Sequence, residues 1–180
     1  RAHQAIYVSR PKGIAGIFRF LLKGFPSLLK KEFLLFLVST GIFVLSFMFS
    51  YLMVLYQEDY ALSFVPAEYV DAIKNSEPGA ASVNYAVFSV AIFTNNIQVG
   101  ITAFALGITF GIGTVYVLVK NGMLLGALAA VAANAGSGYE FWSLILPHGV
   151  PELFCIFVCG AAGLLIARSM IFPGLHSRRR

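Results

Sequence analysis

Charge is scarce in this sequence, at 12% of 180 residues, and so are tryptophan (one), cysteine (two) and histidine (three). Each scarcity excludes something. Against so few charges stand 58% hydrophobic residues and a mean hydropathy of +0.80. A water-soluble domain of this length cannot cover that much apolar surface, so lipid must be the solvent for most of the chain. Cys155 and Cys159 lie on one helical face of an apolar run. They are too few for a zinc site and read as packing residues rather than as a disulfide. There is no HExxH zinc-protease motif, no phosphate loop and no aromatic-basic interleaving. Zinc proteolysis, nucleotide binding and a nucleic-acid partner are therefore not expected. His148 and Glu152 alone make a poor metal set, and no cofactor is expected. Ser137 in "GSG", taken with His148, touches on an intramembrane serine protease, but small residues around a serine are common at helix ends.

The charge that is present is segregated. Arg1, Arg10, Lys12, Arg19, Lys23, Lys30 and Lys31 fill the N-terminal stretch, and Arg178, Arg179 and Arg180 close the chain. Glu58, Asp59, Glu68, Asp71 and Glu77 cluster in one middle segment. This is a membrane orientation signal, with the positive ends in the cytoplasm. Residues 33–56 carry no charge and, as a helix, rise about 36 Å, enough to cross a bilayer with some tilt. Before them, residues 11–25 place Ile14, Ile17, Phe18, Leu21, Leu22 and Phe25 on one face. Pro11 can start such a helix, and Gly24 with Pro26 can end it. The stretch reads as an interfacial helix with Lys12, Arg19 and Lys23 toward lipid headgroups. The alternative is packing on a soluble domain outside this sequence. The chain opens on Arg1 rather than Met, which points to a piece of a longer protein.

The expected fold is all-α: a polytopic membrane protein with an N-terminal amphipathic helix, about four transmembrane helices and two short broken or re-entrant helices on the outer side. Residues 1–30 form the basic cytoplasmic segment, 31–175 the membrane domain with an external loop at 57–82, and 176–180 a basic cytoplasmic tail. "AEYVDAIKN" can make a short helix in the loop. Thr94-Asn95-Asn96 interrupts one long apolar region, giving a short outer helix at 83–94 and a spanning helix at 97–119. Lys120, Asn121 and Gly122 make a cytoplasmic turn, and 123–136 returns outward. Pro147, Gly149 and Pro151 interrupt the last region, giving an outer segment at 141–147 and a fourth span from about Gly149. Gly100, Gly107, Gly111, Gly122 and Gly126 lie in small-residue patterns that let helices approach closely in lipid.

The two breaks are expected to meet in the outer third of the membrane. His148 and Glu152, four apart, share a face, and Asn95 and Asn96 supply partners. An intramembrane carboxylate is costly, about 2.5–3.5 kcal/mol near the bilayer centre. Either the four residues hold a proton, a cation or a substrate headgroup, or they are a polar staple for irregular backbone.

The stretch "FTNNIQVGITAFALGITFGIGTVYVLVKNGMLLGA", followed by "ILPHGVPELF" and "GAAGLLIA", resembles the stage II sporulation protein M family of bacterial integral membrane proteins. The resemblance runs over nearly the whole chain and rests on Asn95-Asn96, Asn121-Gly122 and Pro147-His148-Gly149 with Glu152. It implies a multi-pass protein of the cytoplasmic membrane, both termini inside, that organises other proteins rather than acting as an enzyme. In spore formers those partners degrade peptidoglycan during engulfment. Expected partners are the bilayer, other membrane or cell-envelope proteins and, as one option, further copies in a homo-oligomer. The alternative reading is a transporter-like permease subunit with an intramembrane polar site.

Overall fold

The computed structural model describes residues 14–74 and 85–172, and their side chains except at positions 14–15, 85–92 and 148. Lys12, the terminal arginines and the 75–84 part of the loop lie outside the described residues. Every regular element among those described is helical. The chain divides into two compact units, at Leu34/Leu35.

The first unit holds α1 (Ile14–Arg19), a π-helical turn (Phe20–Gly24) and α2 (Phe25–Lys31). Gly24 and Pro26 do not end the helix, as the sequence suggests they would. Pro26 sits in the first turn of α2, where a missing N–H costs nothing, and the wider π turn before it carries the chain across. Ile17, Phe18, Leu21 and Leu22 are all exposed, as are Arg19 and Lys23.

The second unit is a helical bundle. Helix α3 (Phe33–Tyr56) leads into it, and a connection carrying α4 (Ala61–Phe64) and α5 (Ala67–Lys74) folds back over the bundle's end. There Val54, Ala61, Val65 and Val70 close on Ala127, Ala130 and Val131. Then follow α6 (Tyr85–Ala105), α7 (Ile112–Asn134) and α8 (Gly138–Ile171). Three segments are long and apolar enough to cross a membrane: Phe33–Tyr56, Ile112–Asn134 and Gly149–Ile171. Helix α7 is the central one, with half of its most apolar stretch buried against 22% in α3 and 28% in the last span. The outer surface is strongly apolar; Leu45, Ile112 and Phe172 are each more than 70% exposed. Water would not tolerate so continuous an apolar surface, whereas acyl chains do.

Glycines set the register. A Cβ on Gly122 or Gly126 would collide with the backbone oxygens of Phe43 and Phe47, so α3 and α7 run parallel in close contact. Gly107 packs on the backbone of Gly163, Gly111 on Ala167, and Gly100 on Cys159, which lays α6 parallel to α8. Hydroxyls tie the seams: Ser50 Oγ donates to the Met123 carbonyl at 2.8 Å, and Thr114 Oγ1 to the Ala103 carbonyl at 2.7 Å. In lipid such small-residue contacts and short hydrogen bonds replace the hydrophobic effect as the glue between helices.

The breaks fall elsewhere than the sequence suggests. Thr94-Asn95-Asn96 lies inside the continuous α6, and Pro147-His148-Gly149 inside the 34-residue α8. There are no short outer helices at 83–94 or 141–147 among the described residues. Leaving the helix in lipid strands several backbone groups, whereas each proline costs one hydrogen bond. The expected span at 97–119 is instead split by a 3-10 turn at Leu106–Thr109, followed by Phe110 and Gly111 in the left-handed region. Gly111 takes that conformation freely, and Thr109 Oγ1 accepts from the Gly113 N–H at 2.9 Å to start α7. Lys120-Asn121-Gly122 is not a turn: it lies within α7, where Asn121 donates back to the Val117 carbonyl and Gly122 serves close packing. The outward return ends as α7 does, with Gly136 at φ 75° and the Ser137 N–H reaching the Ala132 carbonyl.

Candidate functional site

Helices α6 and α8 do not seal along their whole length. Beside the tight contact at Gly107 and Gly163 they leave a groove of about 540 Å³. Phe93, Ile97 and Ile101 line it from α6, and Pro151, Cys155 and Cys159 from α8, with Ile156 beneath. Phe93, Ile97, Ile101 and Cys155 are exposed, so the groove opens on the side of the bundle rather than along its axis. Gly100 helps to keep it open: a methyl there would only touch the Cys159 sulfur at 3.4 Å, but a larger side chain would fill the space.

Two polar side chains line this apolar groove. Asn96 Nδ2 donates to Glu152 Oε2 at 2.5 Å, across from α6 to α8. Asn96 stands in the middle of α6, and Glu152 follows Pro151 directly. Pro151 has no N–H, so the turn that presents Glu152 lacks one of its own hydrogen bonds. A carboxyl has more acceptor sites than one amide uses, and it can also carry a proton. The site can therefore receive a donor group or a cation arriving from the lipid side.

Of the four polar residues grouped from sequence, Asn96 and Glu152 are in direct contact. Asn95 is exposed and does not line the groove, because the next residue on a helix points about 100° away. His148 belongs to α8, one turn before Glu152, and its side chain is not among those described. Glu152 lies in the first turn of the apolar stretch Gly149–Ile171.

The two cysteines face the groove rather than a packed core. Among the described residues no three His, Cys, Asp or Glu side chains are grouped to hold a metal ion. Ser137 caps the turn before α8 and is separated from His148 by about 16 Å of helix, so the two form no catalytic pair. Lys120 is the residue that sequence reasoning misplaced most. It projects from the middle of a spanning helix, exposed, beside Ser63, Phe64 and Tyr116. The absence of any other charge from 112 to 134 was the available signal, and the Asn-Gly pair after it obscured it.

Comparison with known proteins agrees with this architecture. An uncharacterised protein of Methanocaldococcus jannaschii is 34% identical over 77 residues, which is 42% of this chain and 43% of that protein. The chain thus matches less than half of that relative's length. No solved structure matches. The family model described as stage II sporulation protein M matches residues 35–180, which is the bundle unit from its first residue to its last. The chain belongs to the stage II sporulation protein M family.

Proposed function

We propose that this protein is a membrane assembly subunit, and that its α6/α8 groove is a docking face for a transmembrane helix. The observation that carries the reading is the sideways opening of a groove that holds an intramembrane carboxylate. A group of that kind is costly in lipid unless something covers it. A neighbouring helix with a donor side chain covers it and gains close packing. Family membership supports a role in organising other proteins, and in spore-forming relatives those are peptidoglycan-degrading engulfment proteins.

In this reading α3, α6, α7 and α8 all cross the cytoplasmic membrane, with both termini inside and residues 57–82 outside. The basic residues before α3 and after α8 support that orientation. The N-terminal helix lies on the inner leaflet, its exposed Ile17, Phe18, Leu21 and Leu22 in the acyl boundary, with Arg19 and Lys23 among headgroups.

The docking role is tested by a photo-crosslinking residue at Ile101, on the exposed groove wall. The expected result is a discrete adduct that disappears when Gly100→Phe fills the groove. An adduct of equal yield from Leu45, on a bare face of α3, would sink the idea. Topology is tested by cysteine substitutions labelled from outside intact cells: Ser76→Cys should react and Ser177→Cys should not. Glu152 also supports a second reading, transport, because an intramembrane carboxylate can relay a proton or cation.

A further inference from the structure

We propose that the occupant of the groove is helix α7 of a second copy of this chain, held by its Lys120 against Glu152. The inference rests on the groove being a docking face, and it names the partner. The charges within the two crossing stretches Ile112–Asn134 and Gly149–Ile171 are Lys120 on α7, and Glu152 near the start of α8's stretch with Arg168 near its end. Within one copy Lys120 and Glu152 face different ways. Glu152 lines the α6/α8 groove, whereas Lys120 lines a separate notch with Ser63, Phe64 and Tyr116.

Their depths lie within side-chain reach of one another. Leu118 packs beside Gly160 in antiparallel helices, which sets Lys120 and Glu152 about 9 Å apart along the bundle axis. A lysine extends its stem along apolar surface to place its ammonium at a favourable depth, so it can span that offset from a neighbour. The shapes correspond as well. Ile112, Tyr116 and Lys120 recur every fourth residue and are all exposed, with Ile112 75% and Tyr116 61% accessible. A ridge of that spacing is what fits between two helices. The Asn96 amide already engages one carboxylate oxygen, so an arriving ammonium meets an oriented acceptor.

Because ridge and groove are different surfaces of one molecule, the contact is head-to-tail. It gives each copy two neighbours, and it closes into a ring if the rotation per subunit allows. Opposite charges meeting in lipid favour this register over others, since a like-charged or apolar partner leaves both groups unpaired.

The test uses the full chain in membranes, with Cys159→Ser and Tyr116→Cys added to the native Cys155. Oxidation should give a ladder of disulfide-linked dimers and higher species, absent when Cys155→Ser is also present. Lys120→Glu alone or Glu152→Lys alone should lower the ladder by roughly tenfold or more, and the double exchange should restore it. Lys120→Gln and Glu152→Gln, with monodispersity in detergent as the folding check, repeat the test without reversing charge. No ladder, or a ladder indifferent to both charges, overturns the proposal. A Cys155 adduct with some other polypeptide and none with a second copy also overturns it, yet leaves the docking role standing. No adduct in the groove with any helix removes both.

Discussion

The Asn96–Glu152 bond is a polar contact in surroundings that offer no other solvent, so its removal should be felt asymmetrically. Glu152→Ala leaves the Asn96 amide without its acceptor and should destabilise the protein by about 1–3 kcal/mol. Glu152→Gln keeps an acceptor oxygen and should cost clearly less. Unfolding of the detergent-solubilised protein, followed by its thermal midpoint, would compare the two; equal losses would show that the amide bond is not the relevant contact. Glycines behave differently from one another for a similarly local reason. Gly126→Ala drives a methyl into the Phe47 carbonyl and must push α3 off α7, at about 1–3 kcal/mol. Gly41 is also a helical glycine, but nothing lies within 4 Å of the added carbon. Gly41→Ala should be neutral or stabilising by up to about 1 kcal/mol, from helix propensity. A comparable loss at both positions in the same melting experiment would refute the assignment of close packing to Gly126 alone. At this scale the sequence was informative about which residues matter and poor on what each does. Asn96 and Glu152 were visible because polar side chains stand out in an apolar run. The groove walls, Phe93, Ile97 and Ile101, were not, because apolar residues in a membrane helix look alike whether they line a groove or face lipid.

At the scale of the element, the informative cases are the misplaced breaks. Asn and Pro signal turns in water, where a chain that leaves a helix is hydrated. Inside α6 and α8 that option is absent, and both helices continue through residues that would end them elsewhere. The real break at Leu106–Gly111 contains no proline and reads as one more apolar segment; only Thr109 and the glycines Gly107, Gly111 and Gly113 mark it. The connection over the bundle's end behaves more as sequence reasoning from water would have it. Helix α5 falls where "AEYVDAIKN" placed it, and Lys74 at its end pairs with Glu58 at 2.5 Å. That bond, opposed by desolvation and reinforced by the charges of Glu58, Asp71 and Asp59, raises the Lys74 pKa above its ordinary 10.5. A raised folded value means the stabilisation is complete below 10.5 and is lost as pH climbs through the folded pKa. A spin label at Glu68 should therefore gain mobility as pH climbs through that range. In Lys74→Gln it should be mobile at every pH, and a label equally mobile at neutral pH with Lys74 intact would contradict the pairing.

For the whole molecule, the broad class followed from composition, since so apolar a chain has one solvent open to it. The arrangement of helices did not follow, because in lipid the sequence pattern no longer distinguishes inside from outside by polarity; packing of small residues decides instead, and small residues are common. That arrangement bears on the choice between assembly and transport. A permeation path needs polar surface along an axis through the bundle. Here the central helix is closed by Leu118, Ala127, Ala130 and Val131, all fully buried. The polar pair lies in a groove on the flank. Purified protein in liposomes should therefore hold both a proton gradient and a potassium gradient as tightly as empty vesicles do. The same vesicles should be indifferent to Glu152→Gln, although that exchange weakens docking in the groove. A leak that is present in the native chain and vanishes with Glu152→Gln would reverse the reading, because it would make the carboxylate a relay rather than an anchor.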